Sequence, residues 1–77
     1  MSGITVLIVD DSSVMRKIVE RALRQAGLNL TRVIEGGSGR EGLEALRRDK
    51  VDLIVSDINM PNMDGLEFLR QLRSEGL

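Results

Sequence analysis

The chain has 77 residues, of which 42% are apolar and 30% charged, a balance typical of one small globular domain. It has no cysteine and no histidine, which excludes disulfides, thiolate zinc sites and histidine bases. The formal net charge is −1, and charges of both signs are interspersed along the sequence. The sequence therefore shows no basic patch of the kind that binds nucleic acid. The longest apolar run is too short to span a bilayer, and no cleavable leader precedes it, so we expect a cytoplasmic protein without a membrane partner.

The first half of the chain predicts a strand, a helix and a second strand. Residues 4–9 form a continuous β-branched run, the pattern of a strand buried on both faces. From Ser13 a helical period of apolar residues begins, with Gly27 as its natural end. The period comprises Val14, Met15, Ile18, Val19, Ala22, Leu23 and Ala26. A short stretch over 31–35, flanked by charge, predicts an edge strand.

The second half repeats this alternation. After a turn at Gly36-Gly37, Ser38 is followed three residues later by a glutamate, which is the form of a capping box that opens a second helix. Residues 51–56 predict a third strand, again apolar on both faces. Asp64 begins a second capping signature, and we expect the third helix to end at Gly76.

The resulting β-α-β-α-β-α pattern predicts an α/β fold with a parallel sheet and right-handed crossovers. The first and third strands are the most apolar, so the first should be central and the strand order 2-1-3. This is the beginning of the flavodoxin-like order, in which ligands bind where strands 1 and 3 diverge.

Three carboxylates are predicted to converge at that point. Asp10 and Asp11 follow strand 1, and Asp57 follows strand 3. Two carboxylates about 4 Å apart repel by about 4 kcal/mol at an effective dielectric constant of 20, so such a cluster favours a bound cation. An all-oxygen set selects a hard ion, and Mg²⁺ fits best. A carboxylate beside Mg²⁺ is also suited to attack phosphorus as a nucleophile.

Simpler interpretations exist for each acid taken alone. Asp10 and Asp11 would also suit the start of helix 1, where acids cap free N–H groups and favour the helix dipole. Asp57 alone would be an ordinary loop acid, and Asp64 is better explained as a helix cap than as a ligand. Only the joint placement of the first three at one crevice favours a functional site.

Two segments, VLIVDDSSVMRKIV and VDLIVSDINMPNMDGLEFL, resemble the receiver domain of bacterial response regulators, closest to the single-domain, CheY-like chemotaxis type. The resemblance implies that Asp57 accepts a phosphoryl group from a histidine kinase. It also implies that Asp10 and Asp11 help to hold Mg²⁺, with Asp11 the more direct ligand, and that Asn59 offers its backbone carbonyl to the metal.

The chain departs from the family in its length. Receiver domains have five strands, so residues 1–77 are expected to be the N-terminal half of a truncated receiver. The Ser or Thr after strand 4 and the Lys after strand 5, which contact the phosphoryl group in the family, have no counterpart here. The resemblance therefore implies a non-enzymatic signalling module whose phosphotransfer and output are impaired or absent.

The apolar sequence of strand 3 predicts that the chain associates with another protein chain. It is apolar on both faces and belongs inside a sheet, yet here it would be a free edge without the Lys, Pro or bulge that normally protects one. We expect a homodimer, formed either by pairing of the strand 3 edges or by exchange of elements. This leaves two alternatives to the signalling module: a self-associating structural half with an inherited but inert acidic site, and a Mg²⁺-dependent phosphohydrolase.

Overall fold

Three parallel strands alternate with two helices. The computed structural model describes residues 3–56 and, beyond them, residues 70, 73, 74 and 76. The elements are β1 (Ile4–Val9), α1 (Ser13–Gln25), β2 (Leu30–Gly36), α2 (Gly39–Arg48) and β3 (Leu53–Ser56). The predicted alternation is confirmed for these five elements. Asp64 and the predicted start of the third helix lie outside the described residues.

The sheet has the predicted order β2-β1-β3, with β1 parallel to both neighbours. In this register Val9, the last residue of β1, pairs with Gly36 on one side and with Ser56 on the other. All three strands thus end at the same edge of the sheet. Val9 and Ser56, the last residues of β1 and β3, therefore lie side by side.

The core forms around β1, which carries the four largest fully buried side chains. Leu7 and Val9 point to one face, where they pack with Leu43 and Ala45 of α2. Val6 and Ile8 point to the other face, with Leu30 and the partly buried residues Val19, Leu23, Leu28, Val33, Leu53 and Val55. A central strand with both faces covered explains why its sequence shows no polar alternation.

Helix α1 covers its face of the sheet incompletely. Ser12 is its N-cap, and Gly27, with φ of 95°, follows its C-cap in the left-handed conformation that glycine favours, as predicted. None of its side chains is fully buried. Val14 and Ile18 of the predicted apolar period remain 67% and 54% exposed.

Helix α2 begins at the predicted capping box. The Oγ of Ser38 accepts a hydrogen bond from the backbone N–H of Glu41 at 3.2 Å, and the Glu41 carboxylate accepts one from the N–H of Gly37 at 2.8 Å. Gly36 is the last residue of β2, so the turn begins one residue later than predicted. A Cβ at Gly36 would lie 3.1 Å from the Gly42 nitrogen, and this close approach of strand and helix favours glycine.

Strand β3 is shorter than predicted and begins at Leu53 rather than Val51. The preceding Asp52 contacts Thr5 in both directions: its N–H donates to the Thr5 carbonyl, and its carboxylate accepts from the Thr5 N–H, both at 2.9 Å. None of the four β3 residues is fully buried, and Ile54 is 37% exposed. Within the described residues β3 has one neighbour, β1.

Near the end of the chain, Arg70, Arg73 and Ser74 are helical. Gly76 has a φ of 72°, and its N–H donates to the carbonyl of Arg73, as expected for a glycine that ends a helix. No helix in the part of the chain that the structure describes is both long and apolar enough to cross a membrane.

Candidate metal centre

Asp10 and Asp11 lie at the edge of the sheet where the strands end. Asp10 directly follows β1 and is partly buried, whereas Asp11 is exposed. Ser56 ends β3 beside them, and Asp57 is the next residue in the sequence. The structure thus places two of the four predicted metal ligands. Asp57 and Asn59 lie outside the described residues.

The interpretation of Asp10 and Asp11 as helix caps is wrong. The cap of α1 is Ser12, whose Oγ accepts from the N–H of Met15 at 3.2 Å, and the first turn of the helix contains no acid. The cap of α1 is thus Ser12 rather than either acid, and the Asp10 carboxylate accepts a hydrogen bond from the N–H of Ser12 itself.

Asp10 is held by bonds on three of its polar groups. Its N–H donates to the Gly36 carbonyl at 3.0 Å, which ties it to the end of β2. Its Oδ1 accepts from the N–H of Ser12 at 2.9 Å, which closes a local Asx turn. Its backbone carbonyl accepts from the guanidinium of Arg16. The carboxylate therefore has a fixed orientation before any ligand arrives.

A third carboxylate at this edge, Glu35, was missed by the sequence reasoning. It lies near the end of β2, where Arg16 Nε donates to Oε1 at 2.8 Å and Lys17 Nζ donates to Oε2 at 2.9 Å. Hydrogen bonds from Lys17 and then from Arg16 lower the pKa of Glu35, and the same bond from Lys17 raises the pKa of that lysine. Glu35 is thus neutralised by two cations.

The donor chemistry at this edge fits a hard cation. Asp10 and Asp11 supply carboxylate oxygens, and Mg²⁺ in proteins is bound by one or two carboxylates together with water. Among residues 3–56 and the four described residues near the end, no group of three or more acidic, histidine or cysteine side chains forms a complete site.

The ion pairs of Glu35 predict a pH dependence of stability. Because the pKa of Glu35 is lower in the folded chain than its ordinary value of 4.5, the carboxylate stabilises the fold above that pH. This contribution is lost as the pH falls below 4.5 through the folded pKa. We expect Glu35→Gln to be less stable than the parent chain at pH 7, and the difference to shrink on acidification. Thermal melts across this range measure it, and a difference independent of pH would contradict it.

Comparison with known proteins identifies the family. The family model described as the response regulator receiver domain matches residues 6–77. The chain belongs to this family. Receiver domains are signalling modules that bind Mg²⁺ at their phosphorylation site and interact with histidine kinases.

Relatives of this receiver chain include chemotaxis proteins and transcriptional regulators. It is 43% identical over 72 residues to the probable transcriptional regulatory protein TcrX of Mycobacterium tuberculosis, covering 94% of this chain and 30% of that protein. It is 41% identical over 70 residues to the chemotaxis protein CheY-3 of Vibrio cholerae, covering 91% and 52%.

Solved structures share the CheY-like, flavodoxin-like fold. The Vibrio cholerae chemotaxis response regulator CheY4 superposes with a TM-score of 0.82 at 37% identity, over 97% of this chain and 60% of that one. The receiver domain of the putative regulator NarL of Mycobacterium tuberculosis gives 0.86 at 31% identity, over 100% and 61%. The receiver chain therefore spans about half the length of CheY-3 and 60% of CheY4.

Proposed function

We propose that this chain is a cytoplasmic phosphoacceptor module of two-component signalling, in which Asp57 takes a phosphoryl group from a histidine kinase. Asp10, Asp11, Asp57 and the backbone carbonyl of Asn59 would hold the Mg²⁺ that the reaction needs. One observation supports this above the others: Val9 pairs with Ser56, so the acids that follow β1 and the acid that follows β3 start from adjacent positions of the sheet.

The proposed reaction is a transfer to a carboxylate oxygen. An oxygen of Asp57 attacks the phosphorus, a new O–P bond forms, and the bond from phosphorus to the donor breaks with its electron pair remaining on the donor. Bound Mg²⁺ supplies positive charge that offsets the negative charge on the phosphoryl oxygens. Asp10 enters this chemistry already oriented, since its Oδ1 is fixed by the N–H of Ser12.

Incubation with a small phosphodonor tests the proposal. With acetyl phosphate and Mg²⁺, we expect the intact chain to gain the mass of one phosphoryl group, as measured by mass spectrometry. The gain should vanish when Mg²⁺ is chelated and in the Asp57→Asn variant. Asp64→Asn is the matched control, because asparagine caps a helix as well as aspartate does and the label should persist. Labelling of Asp57→Asn, or none of the parent chain with Mg²⁺ present, would reject the proposal.

We further propose that residues 1–77 correspond to the first three strands and helices of a receiver. The partial coverage of CheY-3 and CheY4 supports this. In this correspondence the family's strand 4 hydroxyl and strand 5 lysine lie outside residues 1–77, so a protein made of these residues alone would offer less stabilisation to the transferring phosphoryl group. We expect slow labelling at Asp57 and an impaired or absent signalling output from this chain alone.

The exposed apolar side chains of β3 and α1 favour a second candidate, self-association of the chain as a homodimer. Ile54 lies on a strand that has one neighbour within the described residues, and Val14 and Ile18 are also exposed. Unpaired strand edges are templates for pairing with another chain. If the acidic site is inert, self-association into a homodimer would be the function of the chain. Light scattering at micromolar concentration tests it, and a well-folded monomer would contradict it.

A further inference from the structure

Arg16 joins the loop that carries the two acids to the end of the neighbouring strand. Its Nε donates to Oε1 of Glu35 at 2.8 Å, and its Nη1 donates to the backbone carbonyl oxygen of Asp10. Only 16% of the Arg16 side chain is exposed. One guanidinium group thus connects the first turn of α1, the loop after β1 and the end of β2.

The carbonyl that Arg16 binds belongs to the peptide between Asp10 and Asp11. A peptide unit is planar, so fixing the oxygen of Asp10 also fixes the direction of the Asp11 N–H and the position of its Cα. The other main-chain bond of Asp10, from its N–H to Gly36, lies on the preceding peptide and does not hold this plane. Arg16 therefore acts together with the Asx turn of Asp10, which spans the same peptide, to set how Asp11 follows Asp10.

We propose that Arg16 is a positioning residue for the metal site: anchored on Glu35, it holds the Asp10–Asp11 peptide so that both carboxylates face the same ion. Glu35 serves in this arrangement as the anchor of Arg16 and not as a metal ligand. This inference rests on the proposed function, because it assigns a role toward the Mg²⁺ expected at Asp10 and Asp11.

Lys17 provides the comparison that distinguishes this positioning role of Arg16 from a purely electrostatic effect of its charge. It binds the same Glu35 carboxylate at 2.9 Å but has 66% of its side chain exposed, and its hydrogen bond goes to Glu35 rather than to the loop. Removal of a positive charge near a cation site should strengthen Mg²⁺ binding by Coulomb's law alone. If Arg16 positions the loop, its removal should weaken Mg²⁺ binding, whereas removal of Lys17 should not. The sign of the change in Mg²⁺ affinity therefore distinguishes the positioning role from a purely electrostatic effect.

Mg²⁺ titration of the 77-residue chain, followed by NMR chemical shifts at fixed ionic strength, measures the affinity. We expect Arg16→Met to bind Mg²⁺ about tenfold more weakly than the parent chain, at the lower end of what loss of an outer-shell partner costs. Lys17→Met should bind equally well or slightly more tightly. Arg16→Lys keeps the charge but lacks the planar fork that bonds two acceptors at once, so it should also bind more weakly. An affinity of Arg16→Met at or above that of Lys17→Met would overturn the proposal.

Amide hydrogen exchange without metal tests the positioning itself. Arg16→Met should speed exchange of the Ser12 amide, which the Asx turn protects, while exchange of the Leu7 amide in the central strand stays at the parent rate. Lys17→Met should leave both unchanged. Parent-like exchange of Ser12 in Arg16→Met would overturn the positioning role. A parent chain that binds no Mg²⁺ would instead overturn the proposed metal function, and exchange would then decide whether Arg16 holds the loop.

Discussion

Replacement of Leu7 by alanine is expected to remove about 2–5 kcal/mol from the free energy of unfolding, the usual cost of truncating a fully buried leucine. Leu7 is 0% exposed in the central strand, between Ile34 of β2 and Ile54 of β3, and packs with Leu43 of α2. With neighbours on three sides, the site has little freedom to collapse into the space left behind. A stable domain of 77 residues has only about 4–12 kcal/mol in total.

Chemical denaturation followed by circular dichroism measures this loss. Leu46→Ala is the matched control, because Leu46 packs against the same cluster but is only partly buried, and we expect a clearly smaller effect. Equal losses in the two variants would mean that β1 is not the centre of the core. If the parent chain lies at the lower end of the range of about 4–12 kcal/mol, Leu7→Ala should be substantially unfolded at 37 °C, because a loss of about 2–5 kcal/mol then removes most of its stability.

Replacement of Ile54 by lysine is expected to weaken the proposed homodimer at least tenfold. In a two-fold interface each substitution occurs twice, so the two copies would place two charges close together. Lysine on an edge strand is also the residue by which natural sheets discourage pairing with another chain. Ile54 is partly exposed already, so the fold of the single chain should tolerate the change.

Sedimentation velocity over a range of micromolar concentrations measures the dissociation constant. Ile18→Lys is the comparison variant: it places the same change on the other exposed apolar surface, that of α1, and so distinguishes which of the two surfaces forms the interface. If the β3 edge forms the interface, Ile18→Lys should dimerise like the parent chain. Dissociation by Ile18→Lys alone would move the interface to α1.

Sequence patterns predicted the parts of the fold that depend on neighbouring residues. The run from Ile4 to Val9 gave the bounds of β1 without error, because a strand buried on both faces needs apolar residues at every position. Ser38 predicted the start of α2, because a cap and the N–H group that it accepts lie within one helical turn. The order of the strands followed from which of them were most apolar.

Features that depend on distant pairs were missed. Nothing in local spacing joins Glu35 to Arg16 and Lys17, which lie about twenty residues earlier in the chain, so the ion pairs at the sheet edge could not be foreseen. The contact of Asp52 with Thr5, across 47 residues and just before the start of β3, was missed for the same reason. The roles of Asp57 and Asn59 remain predictions, since both lie outside the described residues.

The paired contact between Thr5 and Asp52 has a consequence at the opposite end of the sheet. It fixes where β3 starts along β1, and each residue of a parallel strand advances by about 3.3 Å. A slip by one residue would displace Ser56 by that distance and turn every β3 side chain to the other face. If Asp57 is the phosphoacceptor as proposed, its spacing from Asp10 and Asp11 depends on a contact that involves none of the three. We therefore expect loss of the Asp52 carboxylate to slow the proposed phosphorylation by misaligning the site, although every acid of the site is still present.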